Sequence, residues 1–145
     1  MNFGDNMEPI ISFKNYGFKY RAQKEPTLFD INLDIYPGEK ILIAGPSGSG
    51  KSTLAHCLNG LIPFAYTGEV TGELKIDGKN PGDLGIFGLS KLVGTVLQDT
   101  NGQFIGLTVA EDIAFALEND CIEQKIMKDR VNEVAELVEV FALLN

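Results

Sequence analysis

The front of the chain alternates apolar and polar positions with a period of two. In "LFDINLDIY", Leu33 and Ile35 alternate against Asn32 and Asp34, the pattern of a strand with one wet face. "IISFKNYGFKY" is equally β-rich, and the polar "RAQKEPT" between the two runs predicts a hairpin loop. "YPGE" predicts a turn, with proline ahead of glycine. "KILIA" and "LVGTVLQ" are unbroken apolar runs, which read as short strands buried on both faces. "SGSGKSTLAHCLNGL" predicts a loop running into a helix, with Leu54 and Leu58 on one face and Asn59-Gly60 as the stop. Residues 63–73, broken by proline, threonine and glycine, predict a loop with a weak strand. "ELKIDG" predicts a strand into a turn, and the glycine-rich stretch 79–90 an irregular segment. From Thr108 the period becomes helical. Thr108 as N-cap and Glu111 three residues on form a capping box ahead of "VAEDIAFALEN". Over residues 122–144, Ile122, Ile126, Val134, Val138 and Phe141 recur at helical spacing. Residues 1–9 predict a flexible lead-in.

Composition narrows the classes. A chain of 145 residues with 44% apolar and 22% charged positions fits one globular domain or part of one. The net charge of −8 argues against nucleic acid as a primary partner, which needs a basic face. Cys57 and Cys121 lack metal-site or redox-motif spacing and read as neutral thiols of a reducing compartment. The N-terminus lacks a signal-peptide pattern, and no run approaches the length of a bilayer span. A cytoplasmic location is expected, with any attachment to a membrane supplied by other chains.

The strongest chemical signal is "GPSGSGKS", residues 45–52, which fits G-x-x-x-x-G-K-[ST]. Gly45, Ser47, Gly48, Ser49 and Gly50 are small enough for their backbone N–H groups to wrap a phosphate chain, with Pro46, which has no N–H, in the same cofactor-binding stretch. The helix that follows aims its free N–H groups and dipole at the same anion. Lys51 adds a point charge for the outer phosphates, and the Ser52 hydroxyl is suited to Mg²⁺. The motif alone specifies a nucleoside triphosphate and leaves kinase, GTPase and ATPase open.

Three further pieces make the chain resemble the nucleotide-binding domain of ABC transporters. "LFDINLDIYPGEKILIAGPSGSGKST" is similar to that family's entry into the phosphate loop, and carries the cofactor-binding stretch on to Thr53. The resemblance makes Tyr20 the aromatic that stacks on adenine, with Tyr16 and Phe18 as neighbouring rivals. "VGTVLQD" resembles the strand ending in the Q-loop glutamine, which makes Gln98 a Mg²⁺ and water contact. "QDTNGQFIGLTVAEDIAFALEN" resembles the energy-coupling-factor importers, which take up vitamins, vitamin precursors or transition-metal ions, with thiamine-precursor uptake the nearest flavour. In that family the region of Phe104, Ile105, Leu107 and Val109 receives a helix of the membrane subunit.

The resemblance implies an α/β fold: a P-loop NTPase core sheet, an N-terminal antiparallel β subdomain, and the start of a helical subdomain. It covers residues 10–145 as the first part of such a domain. The signature motif, the Walker B Asp-Glu pair and the switch histidine are not in the sequence; His56 lies on the phosphate-loop helix and reads as a half-buried helix residue. The final "FALLN" carries no helix stop, which is how a chain cut inside a domain looks. The implied cofactors are ATP and Mg²⁺. The implied partners are a second ATP-binding domain and a membrane-embedded transporter subunit, at the cytoplasmic face of the cell membrane, with no nucleic acid. Lys51 and Gln98 are the candidate catalytic contacts. Two rivals stand beside this reading: a soluble ABC-type ATPase acting away from membranes, and a nucleotide-binding half-domain without turnover.

Overall fold

The computed structural model describes residues 8–99 and 101–144, in two compact units that divide between Thr95 and Val96. Most of the expected flexible lead-in, residues 1–7, lies outside the described residues. Ile10 is already tied to the sheet, its backbone N–H donating to Ile35 O at 2.8 Å.

The first unit is built on an antiparallel sheet in the order β2-β1-β3. Its strands are β1 (Ile11–Tyr20), β2 (Leu28–Ile35) and β3 (Gly68–Ile76). β1 and β2 are the expected hairpin. β3 begins earlier than the sequence pattern suggested, because its glycine and threonine positions are held by pairing: Gly68 faces Tyr20, and Thr71 faces Gly17. Against the sheet lie α1 (Lys51–Leu58), the short α2 (Leu61–Phe64) and α3 (Pro81–Ser90). Phe13, Tyr16, Phe18 and Leu28 from the sheet pack with Leu54 and Cys57 of α1, Ile62 and Leu89 in one core. α1 ends as expected, with Asn59 as C-cap and Gly60 left-handed at φ 82°.

β1 carries one residue more than either neighbour between Phe13 and Gly17. Asn15 takes φ 47° there, Asp30 φ 49° on β2 and Gly72 φ 69° on β3. Only glycine suits position 72, since a Cβ would strike the carbonyl oxygens of Lys14 and Asn15. Asn15 is pinned by its neighbour: its backbone N–H donates to Asn32 Oδ1 and its side chain to Asp30 Oδ1, both at 2.9 Å.

Three expectations are corrected. Residues 79–90 are not irregular: Asn80 caps α3 by accepting from Gly82 N at 2.8 Å, Pro81 opens it, and Gly85 kinks it at φ 66°. "KILIA" and "LVGTVLQ" form no strands, and Leu42 and Val96 are 91% and 85% exposed. A strand apolar on both faces needs a ladder on each side, and among the described residues the only sheet is the three-stranded one.

The second unit holds α4 (Val109–Asn119) and α5 (Gln124–Leu137), with single 3-10 turns at Asn101–Gln103 and Phe141–Leu143. The capping box is present: Thr108 Oγ1 accepts from Glu111 N at 3.2 Å, and Glu111 Oε2 accepts from Thr108 N at 3.1 Å. α4 and α5 pack together around Ala114, Val131 and Ala135. The face marked by Ile126, Val134, Val138 and Phe141 is instead exposed.

Candidate functional site

The phosphate loop leaves the exposed 40–44 segment and turns back at Pro46, whose carbonyl accepts from Ser49 N at 3.3 Å. Gly48 and Gly50 take φ 79° and 90°. At Gly50 an added Cβ would lie 2.9 Å from Thr27 O and 3.0 Å from Leu28 Cδ2, so glycine lets the loop seat against the start of β2. Lys51 opens α1 and folds back over the loop. Its ammonium donates to Gly45 O at 2.9 Å, to Pro46 O at 2.7 Å and to Ser49 Oγ at 3.4 Å. The loop is therefore curled around its own cation.

The N-terminus of α1 fits an anion. Gly50 is the N-cap and offers no side-chain bond, and the first turn holds no acidic residue. The leading amides lack the side-chain cap that a Ser or Asp would give them. Gly45, Pro46, Ser47, Gly48, Ser49 and Ser52 are all exposed.

Thr53 is buried. Its hydroxyl lies 3.1 Å from the Tyr20 phenol, a hydrogen bond between the first turn of α1 and the end of β1. The Tyr20 ring meets Phe18 edge-on at 4.7 Å and Tyr66 edge-on at 6.3 Å. Tyr16 and Phe18 are core residues at 4% and 1% exposure, out of reach of a base arriving from solvent. His56 is half-buried on α1, as expected, with its ring stacked on Tyr66 at 4.9 Å. Neither the Tyr20–Thr53 bond nor Tyr66 was visible in the sequence; residue 66 fell in a stretch read as loop.

Beneath these lies a buried polar pair. The Cys57 thiol and Tyr16 phenol are hydrogen-bonded. Burial pushes the thiol pKa up, while the Tyr16 bond works the other way. Burial first, and Cys57 second, hold the phenol well above its ordinary range. Cys121 is a free, exposed thiol.

In the second unit Gln98 is exposed at a bend in a segment without regular structure. Next to it Gln103 Nε2 donates to Leu97 O at 3.4 Å. Phe104, Ile105 and Leu107 are exposed, the last at 97%, although Asp112 Oδ1 fixes the backbone there by accepting from Ile105 N at 2.9 Å. Among the described residues no group of three or more His, Cys, Asp or Glu converges on a point that would hold a metal.

A family model described as ABC transporter matches residues 28–145. A protein of Enterococcus faecalis, provisionally named an ABC transporter ATP-binding protein, is 62% identical over 137 residues, 94% of this chain and 24% of its own length. A protein of Streptococcus mutans with the same provisional name is 59% identical over 138 residues, 95% of this chain and 25% of its own length. The chain thus spans about a quarter of the length of the curated relatives it matches. Among solved structures, cbiO1 of Clostridium perfringens, part of the ABC transporter complex cbiONQ, superposes with a TM-score of 0.81 at 26% identity. The match covers 95% of this chain and 53% of that one.

Proposed function

The chain belongs to the ABC transporter family, and on that premise we propose that the full-length protein is an ATP-binding subunit whose ATP hydrolysis drives uptake of a small solute. The solute class is a vitamin, a vitamin precursor or a metal ion. The observation that carries the reading is the loop curled around Lys51 at the uncapped start of α1. A triphosphate arriving there offers the ammonium charged oxygens in place of the Gly45 and Pro46 carbonyls, and offers the amides an acceptor. The likeness of the Q-loop stretch to energy-coupling-factor importers, and the superposition on a component of an ABC transporter complex, support transport as the use of that site.

The roles divide by residue. Lys51 and the backbone N–H groups of the loop from Gly45 to Ser52, Pro46 excepted because it has none, hold the β- and γ-phosphates. Ser52 in the first unit would offer its hydroxyl to Mg²⁺, and Gln98 in the second is the proposed Mg²⁺ and water contact; the ion would take its remaining ligands from phosphates and water. When bound, the ion neutralises charge that builds on the phosphates. Tyr20 stacks on the base, and Thr53 extends the cradle. A second ATP-binding domain and a membrane-embedded subunit complete the machine at the cytoplasmic face of the membrane. The exposed Phe104, Ile105 and Leu107 suit contact with that subunit.

The test is phosphate release by the full-length protein, alone and reconstituted with its membrane subunits in vesicles. Gln98→Ala should keep ATP affinity and lower the turnover that the membrane subunits stimulate. Turnover that the membrane subunits never change would overturn the transport reading.

A further inference from the structure

Tyr20 is held from three sides, and two of the contacts lead back to one helix. Its phenol bonds Thr53 at 3.1 Å, and its ring meets Phe18 at 4.7 Å and Tyr66 at 6.3 Å, with interplanar angles of 83° and 79°. Tyr66 lies on no helix or strand, yet its place is fixed. Its backbone N–H donates to Leu61 O at 2.7 Å, and its ring stacks on His56 at 4.9 Å and 26°. Thr53 and His56 are three residues apart on α1, so they share a face. The contacts close a circuit: Tyr20 to Thr53, along α1 to His56, across to Tyr66, and back to Tyr20. Tyr66 is 44% exposed, so the core does not account for its ring.

We propose that Tyr66 is a positioning residue for nucleobase recognition. Braced on His56, it adds an edge-on contact to the Tyr20 ring beside the Thr53 bond, so that the base platform and the first turn of the phosphate helix form one rigid piece. A stacking surface recognises a base only while its plane is held, and offset or edge contacts between aromatic rings hold it directionally. Phosphate binding by Lys51 and the loop amides does not depend on that plane. The inference rests on the reading of Tyr20 as the base platform.

The full-length protein is titrated with ATP and with inorganic triphosphate, and its unfolding midpoint is measured in the same samples. Tyr66→Leu should weaken ATP by about three- to tenfold and leave triphosphate affinity unchanged. Tyr66→Phe, which keeps the ring, should restore ATP affinity. His56→Ala, which removes the brace and leaves Tyr66, should shift ATP affinity in the same direction and serves as the readout where Tyr66→Leu does not fold. Tyr20→Ala is the reference. ATP affinity kept in Tyr66→Leu and lost in Tyr20→Ala would overturn the inference while the platform reading stands. ATP affinity kept in Tyr20→Ala would overturn both. Equal loss of ATP and triphosphate in Tyr66→Leu, or no rescue by phenylalanine, would reduce Tyr66 to a structural residue.

Discussion

The Lys51 ammonium sits 2.7 Å from the carbonyl oxygen of Pro46, five residues back along the chain. A lysine that bonds the carbonyls of its own loop holds the loop's curvature and is the loop's only charge. Lys51→Ala should lower ATP affinity by more than about 3 kcal/mol, since at least two charge-assisted bonds of about 1.5–3 kcal/mol each are lost. Fold stability should change little, because the freed carbonyls of Gly45 and Pro46 lie on exposed residues and meet water. Titration with a fluorescent ATP analogue beside a denaturant melt checks both halves; unchanged affinity would contradict the cradle.

Gly50 is where loop, helix and sheet meet. An alanine there combines φ 90° with a Cβ at 2.9 Å from Thr27 O. Gly50→Ala should cost about 1–3 kcal/mol of stability and displace the loop amides. Urea unfolding of the full-length protein should show an earlier midpoint, accompanied by weaker triphosphate binding.

At α4, removing the Thr108 hydroxyl leaves the Glu111 amide without its 3.2 Å acceptor. Thr108→Ala should destabilise by about 1 kcal/mol and Thr108→Ser by far less. Native-state hydrogen exchange should read this as faster exchange at Glu111, with the core strand amides unchanged.

The buried Tyr16–Cys57 pair gives stability a pH dependence. A folded thiol pKa raised by burial means that the folded chain still holds a proton which the unfolded chain loses above about pH 8.5. Over that window the unfolded state binds fewer protons, so stability falls as pH rises and is fully present below it. Tyr16 acts with the same sign at still higher pH. Denaturant melts from pH 7 to 10 should show this decline, and Cys57→Ala should flatten its first part. A decline as steep in Cys57→Ala would assign the effect elsewhere.

What could be read in advance was whatever the local chain determines. The glycine-rich loop running into a helix, the helix stop at Asn59-Gly60 and the Thr108–Glu111 capping box are short-range devices, and each stands where the residues placed it. The two apolar runs failed as strands for the opposite reason: composition describes a strand's faces, while ladders depend on distant partners. β3 shows the same lesson in reverse, since pairing with β1 carries a strand through Thr71 and Gly72. α3 was hidden by its glycines, although Asn80-Pro81 is a start signal that outweighed them. The Tyr20–Thr53 bond joins residues 33 apart and had no signature in spacing.

The extra residue in β1 acts as a phase slip in the pleat. Ile11 and Phe13 face the core on odd numbers; beyond Asn15, Tyr16, Phe18 and Tyr20 face it on even ones. A regular strand of the same sequence would aim Tyr20 at the opposite side of the sheet from Thr53. The handedness of Asn15, Asp30 and Gly72 thus decides on which side of the sheet the Tyr20 ring lies. Loss of a single residue at the slip would exchange the two faces for everything that follows on the strand, while leaving the loop's chemistry intact.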